Sequence, residues 1–90
     1  MELPNISNYG TADTKNAVAV TIGNATAYFS YETLIGFNSP STGLVLSENL
    51  WGATTAKHLN FISRSAKRLV RAEFEALVKQ AVDLAARKSL

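Results

Sequence analysis

The 90-residue chain contains no cysteine, which excludes disulfides and thiolate-bound zinc as supports for a small core. A domain of this size buries roughly 60% of the surface its unfolded form exposes, so the 47% apolar fraction has to stabilise it alone. Histidine occurs once, at His58, and a site with two imidazole ligands cannot form within one chain. The acids Glu2, Asp13, Glu32, Glu48, Glu73, Glu75 and Asp83 are scattered. Glu73 and Glu75 stand two apart on a helix, point in different directions and make no metal pair. The chain has neither a glycine-rich phosphate loop nor a nucleophile motif with a recognisable base. These absences argue against an enzyme, so no catalytic residue, metal or cofactor is expected. Long apolar runs are also missing, as is an N-terminal basic segment followed by an apolar one. The expectation is a soluble, unprocessed cytoplasmic protein with no membrane partner, and the lack of cysteine agrees with a reducing compartment. Asn5-Ile6-Ser7 and Asn24-Ala25-Thr26 match the glycosylation triplet, which has no meaning without secretion.

A net charge of +2 is too small to indicate nucleic acid by itself, but its distribution is uneven. Lys57, Arg64, Lys67, Arg68 and Arg71 accompany His58 between positions 57 and 71, with no acid among them. Positive potential is therefore concentrated on one segment.

Residues 1–16 are rich in Asn, Thr and Ser and read as an irregular N-terminal arm, on which Leu3, Ile6 and Tyr9 are spaced for docking. A single domain is expected over 17–90. Val18, Val20 and Ile22 alternate with small residues and suit a strand buried on one side. Gly23-Asn24 supplies a two-residue hairpin connection, since both residues tolerate positive φ. The next strand is expected to run unbroken from Ala27 to Phe37, with Phe29, Tyr31, Thr33, Ile35 and Phe37 on the core face and Gly36 marking a bend or bulge. A turn over 38–43 then leads into a third strand from Leu44 to Glu48.

Thr54 or Thr55 is placed to cap a short helix ending near 63–65. Leu69-Val70 fits either an extended link or the opening of the last helix. From Arg71 to Arg87 the apolar residues Phe74, Leu77, Val78, Ala81 and Ala85 form one stripe. Arg71, Glu75, Lys79, Asp83 and Arg87 alternate in sign along the polar side. The fold expected is α+β: a three-stranded antiparallel meander packed against a long C-terminal helix, with a short connecting helix.

Candidate contact residues fall in two groups. Arg64, Lys67, Arg68 and Arg71 with Lys57 are placed to meet phosphates, with Asn60 adding hydrogen bonds and Tyr28 or Trp51 stacking. The alternative for these cations is a solvated face around a helix C-terminus. His58 beside Lys57 fits an anion at a helix start or a histidine bonded to backbone or to Glu48. Trp51 fits a core plug as well as a platform. Glu32, placed with Tyr28 and Ser30 on the less apolar strand face, fits a partner-facing surface or a solvated one.

Tyr28-Phe29-Ser30-Tyr31-Glu32-Thr33, Gly43-Leu44-Val45, Ser47-Glu48-Asn49 with Trp51, and Thr54-Thr55-Ala56-Lys57-His58-Leu59-Asn60 resemble a family of small uncharacterised proteins of bacteriophages and prophages. Phe74-Glu75-Ala76-Leu77 is similar to that family's ending. The resemblance implies a phage origin and a compact domain, and it brings no activity or site with it. It makes non-enzymatic binding to a host or bacterial-defence protein the expected function, as for an inhibitor such as an anti-CRISPR. Nucleic-acid binding through 57–71 is the alternative, and a homo-oligomer joined through the long strand is a third expectation.

Overall fold

The computed structural model describes residues 4–10 and 16–88, with side chains in the last helix described as far as Leu84. Six strands form one mixed sheet in sequence order: β1 (Asn5–Asn8), β2 (Ala17–Ile22), β3 (Ala25–Ser30), β4 (Thr33–Ser39), β5 (Gly43–Ser47) and β6 (Lys67–Leu69). The first five pair antiparallel, whereas β6 lies parallel to β5. A parallel neighbour requires a crossover, and helix α1 (Ala53–Ile62) provides it. Helix α2 (Arg71–Lys88) follows β6 after one residue. The α+β class expected from sequence holds, and the sheet is twice as wide as the three-stranded meander.

Three differences account for the extra strands. Within the segment expected to be an irregular arm, Asn5–Asn8 pairs with Val18–Thr21; residues 1–3 and 11–15 lie outside the described part. The single strand expected from Ala27 to Phe37 is a hairpin that turns at Tyr31-Glu32. Neither residue is a turn former, so composition carries no signal there. Tyr31 takes the left-handed conformation (φ 58°), and its N–H donates to the Asn16 carbonyl at 2.8 Å. The bond comes from outside the hairpin. The third difference is Lys67–Leu69, where no strand was expected and an edge strand forms; of Leu69-Val70, expected as an extended link or a helix start, Leu69 closes that strand and Val70 links it to α2.

Cross-strand register fixes which residues share a face. Ile6, Val20, Ala27, Phe37, Val45 and Lys67 form one row across all six strands. α2 covers the far half of that row, where Phe37 and Val45 are buried with Phe74 and Ala81, and Leu77 and Val78 pack against them. The opposite face receives α1, which buries Leu59 against Ile35 and Leu46. The helices therefore sandwich the sheet, and α2 does not cover a single aromatic face as the alternation suggested. A bulge makes the difference. Tyr28 opposes Gly36 but Phe29 opposes Leu34, which leaves Ile35 as an inserted residue. Ile35 and Gly36 then face the same side. The bend expected at Gly36 is this bulge.

Helix ends follow local chemistry. α1 begins after Gly52 (φ 123°) with no side-chain cap, so the threonine cap does not form. Instead Asn49 Oδ1 accepts from the Trp51 and Gly52 amides, and its Nδ2 donates to the Gly52 carbonyl. At the start of α2 the Arg71 amide donates to Glu48 Oε2 at 2.7 Å. A carboxylate there satisfies a free first-turn N–H and complements the helix dipole.

Candidate functional site

The sequence candidates separate onto different surfaces. His58 is on the buried side of α1, only 1% exposed, and shares a 2.6 Å hydrogen bond through Nδ1 with Ser30 Oγ at the end of β3. Thr55 Oγ1, one turn earlier, is 3.4 Å from the same hydroxyl. Tyr9 crosses over this cluster, with its ring edge-on to Tyr28 and His58 and its hydroxyl donating to the Phe29 carbonyl at 2.8 Å. Burial, and then the Lys57 ammonium, hold the imidazole below its ordinary pKa range. Burial likewise pushes the Tyr9 phenol up. A neutral, enclosed histidine offers no anion site, and its partner is Ser30 where backbone or Glu48 was expected. Ser30 is itself buried and no carboxylate among the described residues joins the pair, so the cluster holds α1 to the sheet.

Tyr28 lies beneath Tyr9 on the α1 face, whereas Glu32 is exposed in the β3–β4 turn. They do not share a surface. Trp51 is 44% exposed and is not a core plug. Its ring lies 5.1 Å from the Arg71 guanidinium carbon, which also sits 5.3 Å from the Phe74 ring. Arg71 Nη1 donates to the Leu34 carbonyl and Nε to Glu75 Oε1. That arginine ties β4, α2 and the 48–52 loop together, with its Nε and one Nη1 donor engaged within the fold.

The remaining cations stay at the surface. Lys57 and Asn60 are exposed on α1, with the Lys57 ammonium 5.7 Å from the Phe61 ring. Arg68 donates to Asn60 Oδ1 at 3.1 Å, and Arg64 and Lys67 are exposed nearby in sequence. Of the basic run, Lys57, Arg64, Lys67 and Arg68 are exposed, Arg71 is partly exposed with two donors held by Leu34 and Glu75, and His58 is buried.

A concave feature on the α2 side of the sheet contains none of the sequence candidates. Beyond α2's covered half, the sheet face opens into a groove of about 620 Å³ lined by Val20, Ile22 and Phe29 on one side and Ala81, Val82 and Leu84 on the other. None of the described lining residues is charged. Ile22 and Val82 are more than half exposed. The alternation of Val18, Val20 and Ile22 reads as a core face and gives no sign that the helix stops short of it. The available signal was the width of the sheet against the breadth of one helix: three strands span about 14 Å at the usual spacing, and one helix with side chains covers about 10 Å.

Among the described residues there is no cluster of acids and histidine able to hold a metal ion, and no helix is long and apolar enough to cross a membrane. A family model described as a family of unknown function (DUF8033) matches residues 1–76. No curated protein and no solved structure gives a significant match.

Proposed function

We propose a binding role for this chain, which belongs to the DUF8033 family of unknown function. The observation that carries the proposal is the uncharged groove between β2, β3 and the C-terminal half of α2. Its volume falls within the range of sites that enclose a small apolar body, and its described walls provide no charge to pair with one. The occupant is an uncharged apolar segment of a partner protein, seated with side chains between Ile22 and Val82. Among the described residues, no group lining the groove is arranged for acid–base or nucleophilic work, and the role proposed is a non-enzymatic one. The resemblance to phage and prophage proteins directs the search for the partner to bacterial host and defence components. Inhibition of a defence system, as by an anti-CRISPR, is the form this reading takes.

The test compares tagged wild type with Ile22→Asp and Val82→Asp in bacterial lysate, and then titrates the recovered partner into isotope-labelled protein. Both substituted side chains are exposed, so the fold tolerates the change. Loss of capture in both variants, with resonance shifts centred on Val20, Ile22, Phe29 and Val82, supports the reading. Shifts confined to α1 and β6 would overturn it.

A second reading is favoured by the exposed Lys57, Arg64, Lys67 and Arg68: contact with nucleic-acid phosphates. It predicts affinity that falls steeply with salt, and a shallower slope when Arg64, Lys67 and Arg68 are replaced together.

A further inference from the structure

The two edges of the sheet are built differently. β6 is three residues long and presents Lys67 and Arg68, the kind of charged, short edge that discourages another strand from adding. β1 is Asn5-Ile6-Ser7-Asn8, with every residue exposed, no charge, and no described strand on its outer side. Proline precedes it at Pro4 but none lies within it.

Hydrogen-bond parity shows which backbone groups that edge offers. The Tyr9 amide donates to the Ala17 carbonyl, so positions 9 and 17 are a bonded pair. Bonded and non-bonded pairs alternate along an antiparallel ladder. Ser7 opposite Ala19 and Asn5 opposite Thr21 therefore point their amides and carbonyls at β2, while Ile6 opposite Val20 points its own outward. Ile6 is also 68% exposed, and its side chain extends the apolar row that begins at Val20.

We propose that β1 is the edge through which a second copy of this chain joins its sheet, antiparallel about a two-fold axis through Ile6. In that register Ile6 of each copy donates its N–H to the Ile6 carbonyl of the other, satisfying both outward groups. Ile6 meets Ile6 on the α2 face, and Asn5 meets Ser7 on the α1 face, so apolar faces apolar and polar faces polar. A two-fold axis normal to the sheet permits only such even registers. The next one, centred on Ser7, sets Ile6 against Asn8 and loses the apolar pair. No like charges oppose one another at the join. A second copy is also the occupant that arrives with its strand already ordered, whereas a flexible segment has to be ordered on binding. The long strand expected to pair with a copy of itself is the hairpin of β3 and β4, each with neighbours on both sides, and it leaves no edge for this purpose.

Sedimentation of the intact chain from micromolar to millimolar concentration reads the association directly. Wild type is expected to shift from monomer to dimer. Ile6→Pro removes the outward donor and leaves the bonds from Ser7 and Tyr9 to β2 untouched. It should weaken self-association by about thirtyfold, since each dimer loses two hydrogen bonds, while hydrogen exchange shows the β1–β2 amides still protected. Ile6→Lys keeps the donor and places two like charges in opposition, so it should weaken the dimer without altering the fold. Ile22→Asp, in the groove, should leave dimerisation unchanged. A monomer throughout the range overturns the proposal, as does a dimer that Ile22→Asp disrupts and both Ile6 variants leave intact.

Discussion

Ser30 Oγ lies 2.6 Å from His58 Nδ1, with both side chains buried where α1 meets the end of β3. Ser30 is the only hydrogen-bond partner of that imidazole among the described residues. Either atom can donate, according to the ring tautomer, and the neutral ring is the form the site accommodates. Protonation would place a charge against Tyr9, Tyr31, Thr55 and Ser30, with Lys57 adjacent and no acid among the described residues in contact.

The first prediction concerns pH. The folded-state pKa of His58 is lowered from its ordinary value of 6.5, by burial and then by Lys57. Between the unfolded and folded values the unfolded chain holds more protons, so stability rises with pH there. The contribution is fully present above 6.5, is lost as pH falls from there through the folded value, and levels off below it. Urea titrations across this window should show the decline in wild type, and His58→Gln should flatten it. An equal slope in both proteins would refute the assignment.

Ser30→Ala leaves a buried ring nitrogen without a partner and should cost about 1–3 kcal/mol. Because the two side chains meet each other directly, combining Ser30→Ala with His58→Phe should cost less than the sum of the single changes. The double-mutant cycle should give a coupling of about 0.5–3 kcal/mol. Strict additivity would mean the bond contributes nothing.

Gly36 is a packing requirement of the bulge. A Cβ there would stand 2.9 Å from Leu46 Cδ2 and 3.3 Å from Tyr28 Cβ. The leucine Cδ2 is the end of a flexible side chain but Leu46 is fully buried, and the tyrosine Cβ is fixed to its strand. Gly36→Ala should destabilise by about 1–3 kcal/mol through overpacking, seen as a lower urea midpoint. Gly43 has open space where a side chain would stand, but its φ is 66°, so Gly43→Ala should destabilise for the separate reason of backbone strain.

Glu48 closes the first turn of α2 by accepting from the Arg71 amide. Glu48→Ala should cost about 1 kcal/mol, as other lost caps do. Glu48→Gln, which keeps an acceptor and loses the charge, should cost less. If the two variants are equally unstable, the charge on the helix dipole rather than the hydrogen bond dominates, and added salt should then reduce the difference from wild type.

Arg71→Lys tests whether position 71 is structural. Arginine there reaches the Leu34 carbonyl and Glu75 while its guanidinium lies against Trp51 and Phe74. A lysine ammonium cannot make the two directed bonds and the stack together. The thermal midpoint should fall for Arg71→Lys, whereas Arg64→Lys at an exposed position should leave it within experimental error of wild type.

The sequence by itself determined the elements whose signals are local. The α2 stripe from Phe74 to Ala81, the Gly23-Asn24 hairpin and the strand from Leu44 follow from periodicity and turn chemistry within a few residues. It determined as well that His58 stands alone and that no acid interrupts 57–71. Tertiary structure decided the rest, because the deciding contacts join distant residues. The turn at Tyr31 depends on Asn16, β6 exists only because β5 offers it an edge, and Arg71 leaves the basic run because Leu34 and Trp51 lie beside it. The open groove and the place of β1 at the edge of the described sheet have the same origin. Whether an apolar row is covered depends on how far a helix reaches across a sheet, and no residue in that row records it.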